Sequence, residues 1–214
     1  MLQARYFLFV LALVGWLTPA VVAAPPSKVV WKGYLQPADA RAGEGAQLVL
    51  EANIEEGWHI YSTTEPRGAG PRPTTLEIQP GSALTQEGKL VQPPPHRVHD
   101  EGFNMEVEEY PGAVAFGIPV KISADAKGKQ TAVVKARQQA CKEGMCLPPR
   151  TDEVTISFEV APGEARPDRL APVTDVPKQP AGYVPPDDAP IANPPAGTVD
   201  SATPPTGIGT TIDT

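Results

Sequence analysis

What most constrains this chain is a two-residue period that recurs in short segments and never lengthens into a helical one. Val154, Ile156, Phe158 and Val160 alternate with Glu153, Thr155, Ser157 and Glu159. That is the pattern of a strand with one buried and one wet face. Leu48, Leu50, Ala52 and Ile54 alternate with Gln47, Val49, Glu51 and Asn53, and Val114, Phe116, Ile118, Val120 and Ile122 make a third such face. Thr131–Gln139 reads as a fourth strand, and Val29–Leu35, Trp58–Tyr61 and Thr75–Ile78 as shorter ones. Turn signals separate them, at Ala42-Gly43-Glu44-Gly45, Glu56-Gly57, Pro80-Gly81, Pro111-Gly112 and Lys127-Gly128. Short strands punctuated this often predict an all-β fold, a sandwich of antiparallel sheets. Two loops look long: Ser62 to Thr74, and Gln92 to Met105 with Pro93-Pro94-Pro95, His96, His99 and Asp100-Glu101-Gly102-Phe103. Long loops on a compact sandwich often carry function.

The two ends differ from the middle. Arg5, the apolar run Tyr6–Leu17, the break at Thr18-Pro19 and the small residues Ala20, Ala23 and Ala24 read as an export signal cleaved after Ala23. The rival reading is an uncleaved membrane anchor, for which the uncharged stretch Tyr6–Ala24 is barely long enough. From Pro162 the composition shifts again: 12 of the 27 prolines lie in residues 162–214, and Tyr183 is the only aromatic there. Such a segment cannot bury enough apolar surface to offset its ordering entropy, so a disordered, extended tail is expected. The expected organisation is a signal peptide at 1–23, a folded domain at 28–161 and a Pro-rich tail at 162–214.

A net charge of −7 with no basic cluster argues against nucleic-acid binding. Hydrolytic motifs and glycine-rich phosphate loops are missing as well. What remains is the cysteine pair, Cys141-Lys-Glu-Gly-Met-Cys146, which export places in an oxidising compartment. A static bond across so short a loop would stabilise by about 2 kcal/mol, against nearly ~5 for a hundred-residue loop. It would be a poor global staple. Gly144 allows a tight turn that brings the sulfurs together, and an interrupted hairpin leaves sulfur within reach of a partner. Lys142 would favour a thiolate and Glu143 oppose it. Spacing alone leaves a redox and a structural bond both open. A third reading is a metal site from Cys141, Cys146, Met105, Met145, His96 and His99, but the spacing is not that of common zinc modules. His59, His96 and His99 read more simply as solvent-facing loop or strand residues, and no metal or other cofactor is expected.

Three motifs now stand in order: Gly57-Trp58-His59-Ile60-Tyr61, Asp100-Glu101-Gly102-Phe103, and Gln139-Ala140-Cys141 through Cys146-Leu147-Pro148-Pro149. Together they resemble the N-terminal periplasmic domain of the DsbD family of thiol:disulfide interchange proteins, over roughly Val29 to Val160. The resemblance implies an immunoglobulin-like sandwich with the cysteine pair in a hairpin at one end. It implies a thiol:disulfide oxidoreductase of the protein-disulfide reductase type, acting as an electron relay. The domain would take two electrons from a membrane-embedded cysteine reductase. It would pass them to exported thioredoxin-fold proteins, including cytochrome c maturation partners. Cys146 matches the position that bonds the downstream partner, and Cys141 its resolving mate. Phe103 matches the aromatic lid of a cap loop, Asp100 and Glu101 its acidic residues, and Trp58 and Tyr61 aromatic positions near the pair. Ordinary core packing is the competing role for Trp58. Full-length family members continue into a membrane domain and a thioredoxin-like domain, neither of which is seen in these residues. A stand-alone version or a truncated one is therefore expected, periplasmic and monomeric. The readings weighed against the relay are an exported protein-binding sandwich with a fixed disulfide, and a copper or zinc carrier.

Overall fold

The structure, a computed structural model, describes residues 26–187 apart from residues 67 and 69. It is an all-β, immunoglobulin-like sandwich built from twelve strands: β1 (Val29–Gln36), β2 (Gly45–Ile54), β3 (His59–Tyr61), β4 (Thr75–Ile78), β5 (Leu84–Gln86), β6 (His96–Asp100), β7 (Met105–Pro111), β8 (Ala113–Ile122), β9 (Gly128–Gln138), β10 (Ala140–Lys142), β11 (Met145–Cys146) and β12 (Arg150–Val160). One sheet has the order β1-β2-β8-β5 and faces a second, β12-β9-β4. Every strand identified from the alternating pattern is present. The inward faces named above (Leu48, Leu50, Val114, Phe116, Ile118, Val154, Ile156, Phe158) meet Ala132, Val134 and Ala136 in one core. Burying each large apolar side chain there contributes about 1.5–3 kcal/mol.

A third sheet, β11-β10-β3-β7-β6, stands at one end. Its strands continue those of the sandwich: β2 leads to β3, β7 runs into β8, and β9 and β12 are extended by β10 and β11. The β9–β12 ladder closes at Gln138↔Arg150. Beyond it, Leu147 N–H donates to the Ala140 carbonyl at 3.0 Å and carries the pairing into the short hairpin. The cysteine pair therefore sits at the far tip of a long hairpin rooted in the core. The segment Gln92–Met105, expected to be a long loop, is half strand. His96–Asp100 pairs antiparallel with Met105–Glu109, so the motif Asp100–Phe103 is a hairpin tip.

The tail expected from Pro162 is extended, but through residue 187 it is docked on the sandwich rather than free; residues 188–214 and the expected signal peptide lie outside the described residues. Arg166 donates from Nε and a terminal nitrogen to the buried Glu44 carboxylate, both at 2.7 Å, and reaches Asp39 as well. The chain then crosses the outer face of β2 and β8. Val173 N–H bonds to the Ala46 carbonyl, and the Gln47 side chain donates to the carbonyls of Val173 and Asp175. Gln179 exchanges two bonds with the backbone of Ala115. This cover explains why Gln47 and Val49, read as the wet face of β2, are fully buried. The crossing ends where Tyr183 donates to the Pro94 carbonyl and His96 Nε2 donates to the Val184 carbonyl. Among the described residues, no helix is long and apolar enough to cross a membrane.

Candidate redox site

Cys141 and Cys146 are directly opposed in the β10–β11 pair, with Lys142 opposite Met145. The two residues between, Glu143 and Gly144, have φ of 45° and 76°. A two-residue hairpin turn of this hand needs positive φ at both places. Glycine accepts it freely, whereas a side chain there costs about 1–2 kcal/mol. Closing the turn this tightly leaves the cysteine Cα atoms 4.1 Å apart, and the sulfurs are bonded to each other. β10 is flanked on its other side by β3, which places His59 opposite Cys141. β11 is the edge of its sheet. The consequence is asymmetry: Cys141 is 1% exposed and packs with Tyr61 and Val107, while Cys146 is half-buried on the outer strand.

Tyr61 lies fully buried beneath the pair. Its hydroxyl is 4.0 Å from Cys146 Sγ, donates to Asp100 Oδ2 at 3.2 Å, and is 3.2 Å from His59 Nε2. Burial, then the charge of Asp100 and the bond to it, push this phenol above the ordinary tyrosine range. Asp100 also organises the neighbouring hairpin tip. Its Oδ1 accepts from the backbone N–H of Gly102 and Phe103, an Asx turn. A methyl group at Gly102 would stand 3.6 Å from the Gly144 backbone, so the β6–β7 tip rests on the cysteine turn. Between the two lies a polar cavity of about 270 Å³ walled by His59, Asp100, Glu101, Glu109 and Glu143.

The expected site residues are not all brought together. Tyr61 meets Cys146, and Asp100 is joined to it through the Tyr61 hydroxyl. Glu101 is exposed at the tip. Phe103 is half-buried, but Val98 and Met105 are the partly buried apolar side chains packed around Cys141. Trp58 belongs to the main core, with the Lys28 ammonium 5.2 Å from its ring centre.

Several participants were not foreseen. His59, read as solvent-facing, is mostly enclosed, and its Nε2 is 3.2 Å from Glu109 Oε2. Burial lowers its pKa, against the pull of Asp100. Burial raises Glu109. Glu65, only 3% exposed, is also raised by burial, although one oxygen accepts the Glu108 N–H. In Glu108 burial is outweighed by hydrogen bonds from Thr64, Ser62 and Arg97, which hold it low. A strand of alternating charge, Met105-Glu-Val-Glu-Glu-Tyr110, hints at none of this. Which carboxylates face inward depends on the partner strands. His96 and His99, considered as ligands, are turned to Val184 and Glu106. Among the described residues, no three His, Cys, Asp or Glu side chains are gathered to hold a metal ion.

The model of the family described as "Thiol:disulfide interchange protein DsbD, N-terminal" matches residues 32–157. No curated protein matches. Among solved structures, the chain is similar to the DsbD N-terminal domain of Neisseria meningitidis in the reduced form, with 19% identity, 64% of this chain and 91% of that one covered, and a TM-score of 0.43. It is similar to the N-terminal periplasmic domain of ScsB from Proteus mirabilis, with 16% identity, 65% and 49% covered, and a TM-score of 0.39. It is also similar to the structure of the complex between the DsbD N-terminal and PilB N-terminal domains of Neisseria meningitidis, with 17% identity, 68% and 92% covered, and a TM-score of 0.35. The family match spans more than half of the chain and takes in the cysteine hairpin, the β6–β7 tip and Tyr61, and the chain belongs to the family of DsbD N-terminal domains.

Proposed function

We propose that this domain is a periplasmic thiol–disulfide exchange module, exported by residues 1–23. It draws an electron pair from a membrane-embedded cysteine reductase. It passes that pair to exported thioredoxin-fold proteins, cytochrome c maturation partners among them. One observation carries the reading: of two bonded sulfurs, Cys141 is sealed and Cys146 lies half-buried on an edge strand. Exchange requires in-line approach to one sulfur. The asymmetry supports Cys146 as the sulfur that bonds a partner and Cys141 as the one that resolves.

When the dithiol domain reduces a partner, the Cys146 thiolate attacks a sulfur of the partner's disulfide. The Cys146–partner bond forms as the partner's S–S bond breaks, and the departing sulfur takes a proton. Cys141, deprotonated in turn, attacks Cys146. The internal disulfide re-forms, and the second partner sulfur leaves and is protonated. Two electrons and two protons have passed to the partner. Recharging by the reductase runs the same steps in reverse.

The β6–β7 tip acts as the guard of this pair. The carboxylates around Tyr61 disfavour a thiolate at Cys146, and Phe103 at the tip serves as the lid that a docking partner displaces. On the opposite flank, an apolar groove of about 290 Å³ lined by Pro26, Val29, Leu147, Pro148 and Pro149 offers room for residues beside a partner's cysteine. The reading is tested by the reduction potential of the pair, equilibrated in graded glutathione buffers with free thiols trapped. A potential between about −180 and −270 mV is expected for a relay; one below about −300 mV would mean a structural bond and defeat the reading.

A further inference from the structure

We infer that His59 is a proton relay for Cys146, acting through the Tyr61 hydroxyl and opening on the polar cavity beside the β6–β7 tip. This deepens the exchange reading and rests on it. Every transfer in that scheme needs a thiol to become a thiolate, in surroundings crowded with carboxylates. The proton must have somewhere to go.

The geometry offers one route. The Tyr61 hydroxyl is 4.0 Å from Cys146 Sγ and 3.2 Å from His59 Nε2. The two rings meet edge-on, with centres 5.3 Å apart. With its ring proton on Nδ1, His59 presents a lone pair at Nε2, to which the hydroxyl turns its one proton from Asp100 Oδ2. In the step proposed, the Cys146 thiol proton passes to the Tyr61 oxygen while the phenolic proton moves to His59 Nε2. Tyr61 ends neutral, Cys146 is a thiolate, and His59 is an imidazolium whose Nε2 lies 3.2 Å from Glu109 Oε2. No bond to carbon or sulfur changes other than S–H, and the proton count is unaltered.

Asp100 also touches the hydroxyl, at 3.2 Å. It is the poorer acceptor. An ordinary thiol titrates near ~8.5, an imidazole near ~6.5 and a carboxylate near ~4. The imidazole is intrinsically the stronger base of the two acceptors. The titratable groups that face His59 are Glu109 on β7, Asp100 and His99 on β6, Glu101 at the tip and Glu143 in the cysteine turn. All but His99 are acidic and favour the imidazolium once it forms. Burial acts the other way and keeps the ring neutral between transfers.

The test uses the full chain in its dithiol form, oxidised by oxidised glutathione from pH 5 to 9, as wild type and as His59→Gln. Glutamine keeps a polar group but cannot take the proton. A thiolate paired with an imidazolium has a population that changes little with pH between the two titrations. The wild-type rate should then rise shallowly from about pH 6 to 7.5. With the thiolate–imidazolium attraction worth about tenfold, or ~1.4 kcal/mol, the His59→Gln rate should rise tenfold per pH unit, lie about tenfold lower at pH 6, and converge with wild type above pH 8.5. Parallel profiles, or a constant ratio at every pH, overturn the relay. In wild type alone, the His59 ring resonances should titrate at different pH in the dithiol and disulfide forms; identical titrations overturn it too, whether or not His59→Gln folds. Failure of both proteins to exchange with glutathione would instead remove the underlying exchange reading.

Discussion

Replacing Asp100 by Asn isolates what a single charge does to the reactive sulfur. The amide oxygen can still accept from the Gly102 and Phe103 N–H groups, so the turn that Asp100 Oδ1 now caps is preserved. The amide nitrogen then takes the place of Oδ2 and donates to the Tyr61 oxygen, whose own proton turns to His59 Nε2. The contact is kept with its direction reversed, and the negative charge is lost. The path from that carboxylate to Cys146 Sγ has legs of 3.2 and 4.0 Å through the Tyr61 hydroxyl, so carboxylate and sulfur are separated by at most about 7 Å. At that distance two unit charges repel by about 2.4 kcal/mol at an effective dielectric of 20, and by about half that at 40. With ~1.4 kcal/mol per pH unit, the Cys146 thiol in the dithiol form should titrate about 1–2 units lower in Asp100→Asn. The assay is the pH dependence of carbamidomethylation of the reduced domain, with the alkylated residue identified by peptide mass. At pH 7 the variant should react about ten- to a hundredfold faster if intrinsic nucleophilicity is held constant, and several-fold less than that because a weaker base is a weaker nucleophile. A thiol titration that moves by less than about 0.3 units would refute the argument. It would mean that solvent screens Asp100 from the sulfur, and that the tip guards the pair by steric cover alone.

Phe103→Ala should speed alkylation of the reduced cysteines severalfold without moving their titration; an unchanged rate would remove Phe103 as a lid. Gly45→Ala places a methyl carbon 1.9 Å from the Ala171 carbonyl oxygen and must lift the chain that crosses β2. The bonds joining Ala46 and Gln47 to Val173 and Asp175 go with it. At ~0.5–1.5 kcal/mol each, less the ~0.4–1 gained by restricting the unfolded chain, the loss is about 1–3 kcal/mol, or a Tm lower by about 3–10 °C. A Tm equal to or above wild type would show that residues 170–176 do not dock in solution. Glu44 is held down to about 2, chiefly by the Arg166 hydrogen bond and against the cost of burial. A depressed carboxylate stabilises above its unfolded pKa, near ~4.3, and that stability drains as pH falls toward the folded value. Thermal melts of wild type should therefore steepen in pH dependence between about 4.5 and 2, and Arg166→Gln should be flatter over that window. Equal slopes would contradict the clasp.

The sandwich was legible because its strands announce themselves locally. In β12, four apolar residues alternate with four polar ones and need no knowledge of partners. The cysteine hairpin was legible for a similar reason: Gly144 marks a turn, and a turn of two residues forces Cys141 opposite Cys146. What stayed hidden was decided across the chain. β6, His-Arg-Val-His-Asp after three prolines, has the composition of a loop. It becomes a strand only because β7 supplies a ladder in register from His96↔Glu109 to Asp100↔Met105. His59 looks like any polar residue of a half-wet strand, yet β7 and β10 flank β3 and shut it between Glu109 and Cys141. The same logic governs residues 162–187. Their composition rightly forbids a core of their own, since the segment buries almost no large apolar side chain. Composition does not forbid docking on a sheet that already exists. A proline-rich strand has few N–H groups to satisfy, and here its carbonyls are taken up by Gln47 and Lys121 from the sheet below. Read on its own, Gln47 in an otherwise apolar stretch of β2 is a weak place on an outer face. Read with the segment that covers it, it is the anchor. A polar residue on a strand's outward face, leaning over a glycine of the next strand such as Gly117, whose missing side chain leaves room for it, is therefore a sequence-level sign that another part of the chain lies across that face.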